Sequence, residues 1–171
     1  MSARLPLRLD PVKECQREVE RSGVLPLTRM KRLAAMLQVV DASARCSLKF
    51  SIQGKGHYRL EGRVQVDLQL ECQRCLHPML LSVDREFRLA LLQSDSQAEH
   101  IGEDWEPFVL SEESLDISEL IEDELILAIP DIPRHIDERE CQPSDWQSDK
   151  LDELEIKPEN PFAVLTSLKK H

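Results

Sequence analysis

The stretch "YRLEGRVQVDLQLEC", residues 58–72, alternates strictly between apolar and polar side chains. One parity carries Tyr58, Leu60, Gly62, Val64, Val66, Leu68 and Leu70, and the other carries Arg59, Glu61, Arg63, Gln65, Asp67 and Gln69. Successive side chains of a β-strand point to opposite faces, so this period of two predicts a long strand with one buried face.

Both flanking segments share this period. "CSLKFSIQG", residues 46–54, places Cys46, Leu48, Phe50 and Ile52 on one face, and "LLSVDREFRLALL", residues 80–92, continues the pattern with Leu81, Val83, Phe87, Leu89 and Leu91. We therefore expect an α+β fold built on an antiparallel sheet over about residues 46–92, open or barrel-like. Arg85 lies on the apolar parity, which indicates a bulge, a barrel rim or a buried charge.

Two segments have helical periodicity. In "LTRMKRLAAMLQVV", a helix over 27–40 is expected to begin at Thr28 and to bury Met30, Leu33, Ala34 and Leu37. In "DISELIEDELILAIP", Asp116 and Glu119 resemble a capping box, and Pro130 ends a helix over 116–129. "LPLRLDPV", residues 5–12, predicts a short strand ended by Pro11, and "PFVL", residues 107–110, a second one within an acidic loop.

The chain of 171 residues suits one α+β domain over 1–133. Residues 134–158 are acidic, contain prolines and lack periodicity, so we expect them to be mobile. Residues 159–171, with the apolar positions Phe162, Val164, Leu165 and Leu168, fit a short docking motif for this domain or for a partner. No run approaches the roughly 18 apolar residues of a membrane helix, and no signal peptide is visible, so we expect a cytoplasmic location.

Charge is divided unevenly along the chain. Residues 1–94 hold 16 Lys and Arg against 10 Asp and Glu, whereas residues 95–171 hold 6 against 22. This pattern fits a solvated acidic tail, or a first half that meets a polyanion and a second half that meets a basic partner. For RNA, the candidate contacts are Arg29, Lys31, Arg32, Arg59, Arg63, Arg74, Arg85 and Arg88.

The segment "LECQRCLHPM", residues 70–79, places a C-x-x-C turn between two strands. Thioredoxin-type pairs sit at a helix N-terminus in a βαβ unit, which is not visible here. Between strands, the pair is typical of a zinc knuckle or of a turn whose thiols are structural. Zinc needs further ligands. With Cys72 and Cys75, the candidates are His135 and Cys141 of "PRHIDEREC", and His77 lies beside the pair. Cys46 is expected to pack in the core. The sequence contains no recognisable catalytic motif, and we expect no enzyme.

Four segments together resemble one family: "LPLRLDPV", "LECQRCLHPM", "IEDELILAIPDIPRH" (121–135) and "NPFAVLTSLKK" (160–170). The chain resembles the large ribosomal RNA subunit accumulation proteins, the YceD family. Many members of that family carry a second cysteine pair after an "LPxxP" segment, where this chain has His135 and, further on, Cys141.

The resemblance implies a bacterial cytosolic protein without catalytic activity. Its role would be in the synthesis, processing or stability of 23S ribosomal RNA, and so in ribosome assembly, with ribosomal RNA or a large-subunit precursor as partner. Two alternatives stay open: an adaptor whose acidic half binds a basic partner such as a ribosomal protein, and a thiol-redox enzyme that uses Cys72 and Cys75.

Overall fold

The computed structural model describes residues 5–54 and 57–141. The strands are β1 Arg8–Leu9, β2 Glu20–Pro26, β3 Ser43–Gln53, β4 His57–Glu71, β5 Pro78–Leu92, β6 Glu106–Val109 and β7 Leu115–Asp116. The α-helices are α1 Pro11–Gln16, α2 Lys31–Ala34 and α3 Ile117–Ala128, with 3₁₀ turns at Leu27–Arg29, Asp95–His100 and Glu138–Glu140.

Five strands form one open sheet in the order β2-β3-β4-β5-β6. The first four are antiparallel, and β6 is added parallel to β5. The predicted α+β class and the antiparallel sheet are confirmed, whereas the barrel-like alternative is wrong because the sheet is not closed. A second, two-stranded sheet pairs β1 with β7. None of the helices in the described part of the chain is long and apolar enough to span a membrane.

The core lies on the apolar parity of β3, β4 and β5. Leu48, Phe50, Leu60, Val64 and Leu68 are at most 1% exposed, as the alternating sequence predicts. The same face is covered by α3, whose residues Ile117, Ile121 and Leu125 are fully buried. Across this layer the hydrophobic effect supplies the main stabilisation of the fold.

Gly62 has a steric role on this buried face. It lies opposite Phe87 of β5, whose ring occupies the space above it. A Cβ at Gly62 would overlap Cζ of Phe87, so only glycine leaves room for the ring.

Arg85 is the exception that the sequence indicated on this face. The β4–β5 register runs without a bulge through its pair with Val64. Its Nε donates to Oε2 of Glu124 in α3 at 2.6 Å, and Glu124 is buried. The side chain of Arg85 is 31% exposed and that of Glu124 is 5% exposed, so the charge is half-buried and paired, which favours the buried-charge interpretation over a bulge or a barrel rim.

The predicted helix over 27–40 is wrong in extent. A 3₁₀ turn and the four-residue α2 replace it, and Thr28 caps neither. Beyond α2, Gln38 donates its backbone N–H to Gln69 at 2.9 Å, and Val39 forms a β-bridge to the same residue. The segment therefore leaves helical geometry because β4 takes up its hydrogen bonds.

Glu122 of α3 provides the cap that Thr28 does not. Its carboxylate accepts from the backbone N–H of Arg32 at 2.6 Å and of Leu33 at 3.0 Å, and also from the guanidinium of Arg32. The N–H groups of a first helical turn lack intrahelical partners, and here a side chain 90 positions away satisfies two of them.

The remaining expectations near the ends have mixed outcomes. Helix α3 runs as predicted, with Asp116 capping the N–H groups of Ser118 and Glu119. The strand expected before Pro11 is reduced to β1, and Pro11 opens the unpredicted helix α1, where Asp10 caps Lys13. Strand β2 was also not predicted, whereas "PFVL" overlaps β6.

Candidate metal centre

The C-x-x-C turn joins β4 to β5 and has a defined backbone. The N–H of Cys72 donates to the carbonyl of His77 at 3.0 Å, and the N–H of Leu76 donates back to Cys72 at 2.8 Å. Leu76 adopts a positive φ of 61°, a conformation that side chains with a Cβ rarely accept. The sheet hydrogen bonds and this tight turn fix both cysteines at the same end of the hairpin.

A second segment reaches the turn from α3. After Pro130 ends that helix, the carbonyl of Pro133 accepts a hydrogen bond from the N–H of Gln73 at 2.8 Å. This contact places the next residues of the chain beside the thiols.

Four candidate ligands meet there. Their ligand atoms all lie within 4.8 Å of one another, and they belong to Cys72, Cys75, His135 and Cys141. The Sγ atoms of Cys72 and Cys141 are 3.8 Å apart. Nδ1 of His135 lies 3.6 Å from Sγ of Cys75 and 3.5 Å from Sγ of Cys141.

The three distances between individual ligand atoms, 3.5–3.8 Å, match those between the ligands of a tetrahedral ion. Zinc bonds of about 2.3 Å to sulfur and about 2.0–2.1 Å to nitrogen separate neighbouring ligand atoms by about 3.5–3.8 Å. Three cysteines and one histidine are also an established ligand set of structural zinc sites. The four residues thus fit a metal ion both in chemistry and in spacing.

His135 is oriented for this role by a hydrogen bond outside the cluster. Its Nε2 lies 3.2 Å from the carbonyl oxygen of Pro78. Because a carbonyl only accepts, Nε2 carries the proton, and the lone pair of Nδ1 faces the thiols. This is the tautomer that a ligand bound through Nδ1 requires.

The electrostatics of the cluster favour a cation. Burial opposes ionisation of Cys72, but backbone N–H groups of the turn and of the His135 segment outweigh it and lower the pKa of this thiol to about 5. Burial and the two neighbouring thiols raise the pKa of Cys141 to about 11. Ionisation of Cys72 is thus favoured at neutral pH, whereas ionisation of Cys141 beside it is unfavourable. A cation bound between the thiols would remove this penalty.

The other cysteines and His77 lie apart from this group. Cys15 and Cys46 are buried in the core, as was expected of Cys46, and burial raises the pKa of Cys46 to about 12. His77 contributes its backbone carbonyl to the turn, and its side chain is not part of the cluster found among the described residues.

The eight candidate RNA contacts fall into distinct environments. Arg32 pairs with Glu122 and Asp123, Arg63 with Asp84 and Glu86, and Arg85 with Glu124. Arg59 is buried, with its guanidinium 4.6 Å from the ring centroid of Trp105.

The other four cations are exposed. Arg74 lies in the metal-centre turn and is engaged in an interaction. Within residues 5–54 and 57–141, Arg29, Lys31 and Arg88 are not paired with a carboxylate. The predicted docking residues Phe162, Val164, Leu165 and Leu168 lie outside the described residues, as does segment 142–158 of the predicted mobile region.

Comparisons with known proteins place the chain in a family. The family model described as large ribosomal RNA subunit accumulation protein YceD matches residues 60–169. A curated relative with that name, from Haemophilus influenzae, is 36% identical over 169 residues, which is 97% of this chain and 97% of the relative. No solved structure matches the chain. The match to this relative spans the strands, the metal-centre residues and α3, and the chain belongs to the YceD family of large ribosomal RNA subunit accumulation proteins.

Proposed function

We propose that this protein is a non-catalytic factor, acting in the bacterial cytoplasm, for the accumulation of 23S ribosomal RNA. The observation that carries the proposal is the match over 97% of both chains to a relative named for large ribosomal RNA subunit accumulation. A role in the synthesis, processing or stability of that RNA would act through binding to it or to a large-subunit precursor. Depletion followed by gradient profiling of ribosomal particles tests the role. Loss of large subunits, with small subunits retained, is expected, and unchanged profiles would contradict it.

The number of protein ligands in the candidate metal centre favours a structural metal site over a catalytic one. Four protein ligands fill a tetrahedral shell, whereas catalytic zinc sites keep one position for water or substrate. We propose that the cluster holds Zn²⁺, which would supply a crosslink between the β4–β5 turn and the segment after α3. The residues from Asp131 to Cys141 contain little apolar surface to pack, so such a link would hold them where burial cannot.

Elemental analysis of protein purified without chelator tests the metal site. We expect one equivalent of zinc in the wild type, loss of zinc in His135→Ala, and retention in the matched control His77→Ala. Acidification should release the ion because the ligands must bind protons. Less than a tenth of an equivalent in wild-type protein, with Cys72 and Cys75 freely alkylated, would reject the site.

The most accessible RNA contacts would be the cations that pair with no carboxylate within residues 5–54 and 57–141. Arg29 and Lys31 are exposed and flank Met30, the buried N-cap of α2. An arginine already held by carboxylates must lose those partners before it binds phosphate, and so gains less. We therefore rank Arg29, Lys31 and Arg88 above Arg32, Arg63 and Arg85 as phosphate contacts.

Salt dependence separates these two groups. The binding constant K for rRNA fragments decreases with salt concentration, so a plot of log K against log salt has a negative slope. For Arg29→Ala combined with Lys31→Ala, we expect this slope to become shallower by about 1.4–1.8, because each phosphate contact contributes about 0.7–0.9 to its magnitude. The control Arg139→Ala removes an exposed arginine from an acidic region and should leave the slope unchanged. Equal slopes in all three proteins would exclude Arg29 and Lys31 as contacts.

An adaptor for a basic partner is the second candidate. Exposed carboxylates follow one another from β6 to the metal centre, at Glu112, Glu113, Glu119, Asp123, Asp131 and Asp137. Such a surface attracts a basic ribosomal protein. If rRNA fragments do not bind in a salt-dependent way, while basic large-subunit proteins do, the adaptor becomes the better hypothesis.

The redox alternative has the least support from the geometry. Cys72 and Cys75 are both buried and lie in a β-hairpin turn rather than at a helix N-terminus. A catalytic thiol must reach an external disulfide, and the burial of both cysteines opposes this even though the pKa of Cys72 is lowered. Disulfide reductase activity that is abolished by Cys72→Ser would nevertheless restore this alternative.

A further inference from the structure

An apolar groove opens on the surface between α2, the end of β4 and the end of α3. It encloses about 430 Å³. Its apolar lining consists of Met36, Leu70, Ile126, Ile129, Pro130 and Pro133, and the carboxylates of Glu71 and Asp131 lie among the lining residues. Met36 is 45% exposed although it lines an apolar surface. A concave apolar surface rimmed by charge is typical of a binding site for another segment or protein.

The described chain ends beside this groove. Pro133 lines the groove, and its carbonyl accepts a hydrogen bond from the N–H of Gln73, another lining residue. Cys141 lies in the adjoining candidate metal centre. Thirty residues follow Cys141 in the sequence. The 20 residues from 142 to 161 would have a root-mean-square span of about 25 Å as a flexible chain, enough to return to the groove.

The last segment of the sequence has side chains that complement both the apolar lining and the acidic rim of the groove. Residues 160–170, "NPFAVLTSLKK", carry four large apolar side chains followed by two lysines and contain no carboxylate side chain. The apolar side chains suit the lining, and the lysines suit the carboxylates of Glu71 and Asp131. The preceding residues 142–159 are rich in Asp and Glu and offer no such complement to an acidic rim.

We propose that residues 160–170 dock in this groove of the same chain. Phe162, Leu165 and Leu168, three residues apart, bury against the apolar lining, and Lys169 and Lys170 approach the acidic rim. The short tether gives the segment an effective concentration in the millimolar range, so weak intrinsic affinity suffices for occupancy. The docking requires no RNA and stands independently of the proposed role.

Methyl NMR on the full-length protein tests the proposal, with ¹³C-labelled methionine methyl groups. We expect contacts between the ring protons of Phe162 and the methyl group of Met36. In Phe162→Ala combined with Leu165→Ala, the Met36 resonance should move while that of the fully buried Met30 stays in place. The matched control, Thr166→Ala with Ser167→Ala, changes neighbouring polar positions and should leave the Met36 resonance unchanged.

A synthetic peptide of residues 159–171 completes the test. It should return the Met36 resonance of the double apolar variant to its wild-type position, and it should bind the wild-type chain roughly tenfold more weakly because the tethered segment competes. Glu71→Lys should weaken binding of the peptide to the double apolar variant.

Two results would overturn the proposal. An unchanged Met36 resonance in the apolar variant, with no effect of the peptide, would show that the segment does not occupy the groove. A wild-type resonance that moves toward the variant position on dilution would show that a second copy supplies the segment.

Discussion

Removal of the Glu122 carboxylate should destabilise the protein more than removal of any exposed acidic group nearby. Glu122 is 5% exposed, and its Oε1 accepts hydrogen bonds from the backbone N–H groups of both Arg32 and Leu33. Leu33 is fully buried, so in Glu122→Ala its N–H loses its acceptor in a place that water does not reach. We therefore expect α2 to lose its cap and the contact between α2 and α3 to weaken.

The magnitude follows from the hydrogen bonds lost. A hydrogen bond to a charged group contributes about 1.5–3 kcal/mol, and two such backbone bonds are removed. The ion pair with the Arg32 guanidinium, whose arginine side chain is 57% exposed, adds about 0–1 kcal/mol. Glu122→Ala should thus lower the free energy of unfolding by about 4 kcal/mol, which for a chain of this length corresponds to a fall in Tm of about 8–16 °C.

Urea denaturation followed by circular dichroism measures this change, with equal metal content in all variants. Glu122→Gln keeps a carbonyl oxygen in the place of Oε1, so both backbone hydrogen bonds remain but become neutral, and the variant should lose about half as much, about 2 kcal/mol. Asp123→Ala is the matched control, because its pair with Arg32 is 52% exposed on the aspartate side and contributes about 0–1 kcal/mol. If Glu122→Ala and Asp123→Ala differ by less than about 0.5 kcal/mol, the capping argument is wrong.

Three further predictions concern other positions. Gly62→Ala should lower the free energy of unfolding, measured by urea denaturation, by about 1–3 kcal/mol because its Cβ would meet the ring of Phe87. The control Gly102→Ala, which has nothing within 4 Å of its Cβ, should be nearly neutral, and equal stabilities of the two variants would refute the steric argument. Leu76→Asn should leave the protein as stable or up to about 1 kcal/mol more stable, because asparagine tolerates a positive φ better and the leucine side chain is 64% exposed; a marked loss of stability would show that the leucine packs in a way the turn requires. The partnering arginine lowers the pKa of Asp84 to about 2, so its contribution to stability is complete above pH 4 and is lost as the pH falls toward 2; an NMR titration of its carboxyl group with a midpoint near 4 would contradict the pair.

The sheet was predictable because its signal is local. Each of β3, β4 and β5 has an apolar face that can be read from a period of two, and the structure buries that face. Arg85 broke the pattern visibly. Its partner Glu124 lies 39 positions away on α3, however, so only the structure could select a paired charge over a bulge.

The helical prediction failed where tertiary hydrogen bonds override local propensity. Residues 27–40 have apolar spacing and good helix formers, but the N–H of Leu27 donates to Ala42, the residue before β3, and the N–H of Gln38 donates to Gln69 of β4. Strand β2, "ERSGVLP", was missed because Gly23 and Pro26 interrupt its alternation. The short helix α1 has too few residues to show a period.

The candidate metal centre was partly readable from the sequence. Two cysteines at C-x-x-C spacing between strands indicated a pair of ligands, and only His135 and Cys141 followed with suitable chemistry in the segment after α3. The sequence did not show that the two ligand segments lie next to each other, because their proximity depends on the Gln73–Pro133 hydrogen bond and on where α3 ends. The charged residues of the sheet were less readable, since spacing does not show which arginines are already paired.

The position of β4 between β3 and β5 has a practical consequence for fragments of this protein. The family match begins at residue 60, inside β4, and two strands of the sheet precede it in the sequence. A fragment cut there would remove β2 and β3 and turn most of a 15-residue central strand into an edge strand with unpaired amides and carbonyls. Long exposed edges of this kind recruit strands from other molecules, so such a fragment should aggregate even though it contains every candidate metal ligand.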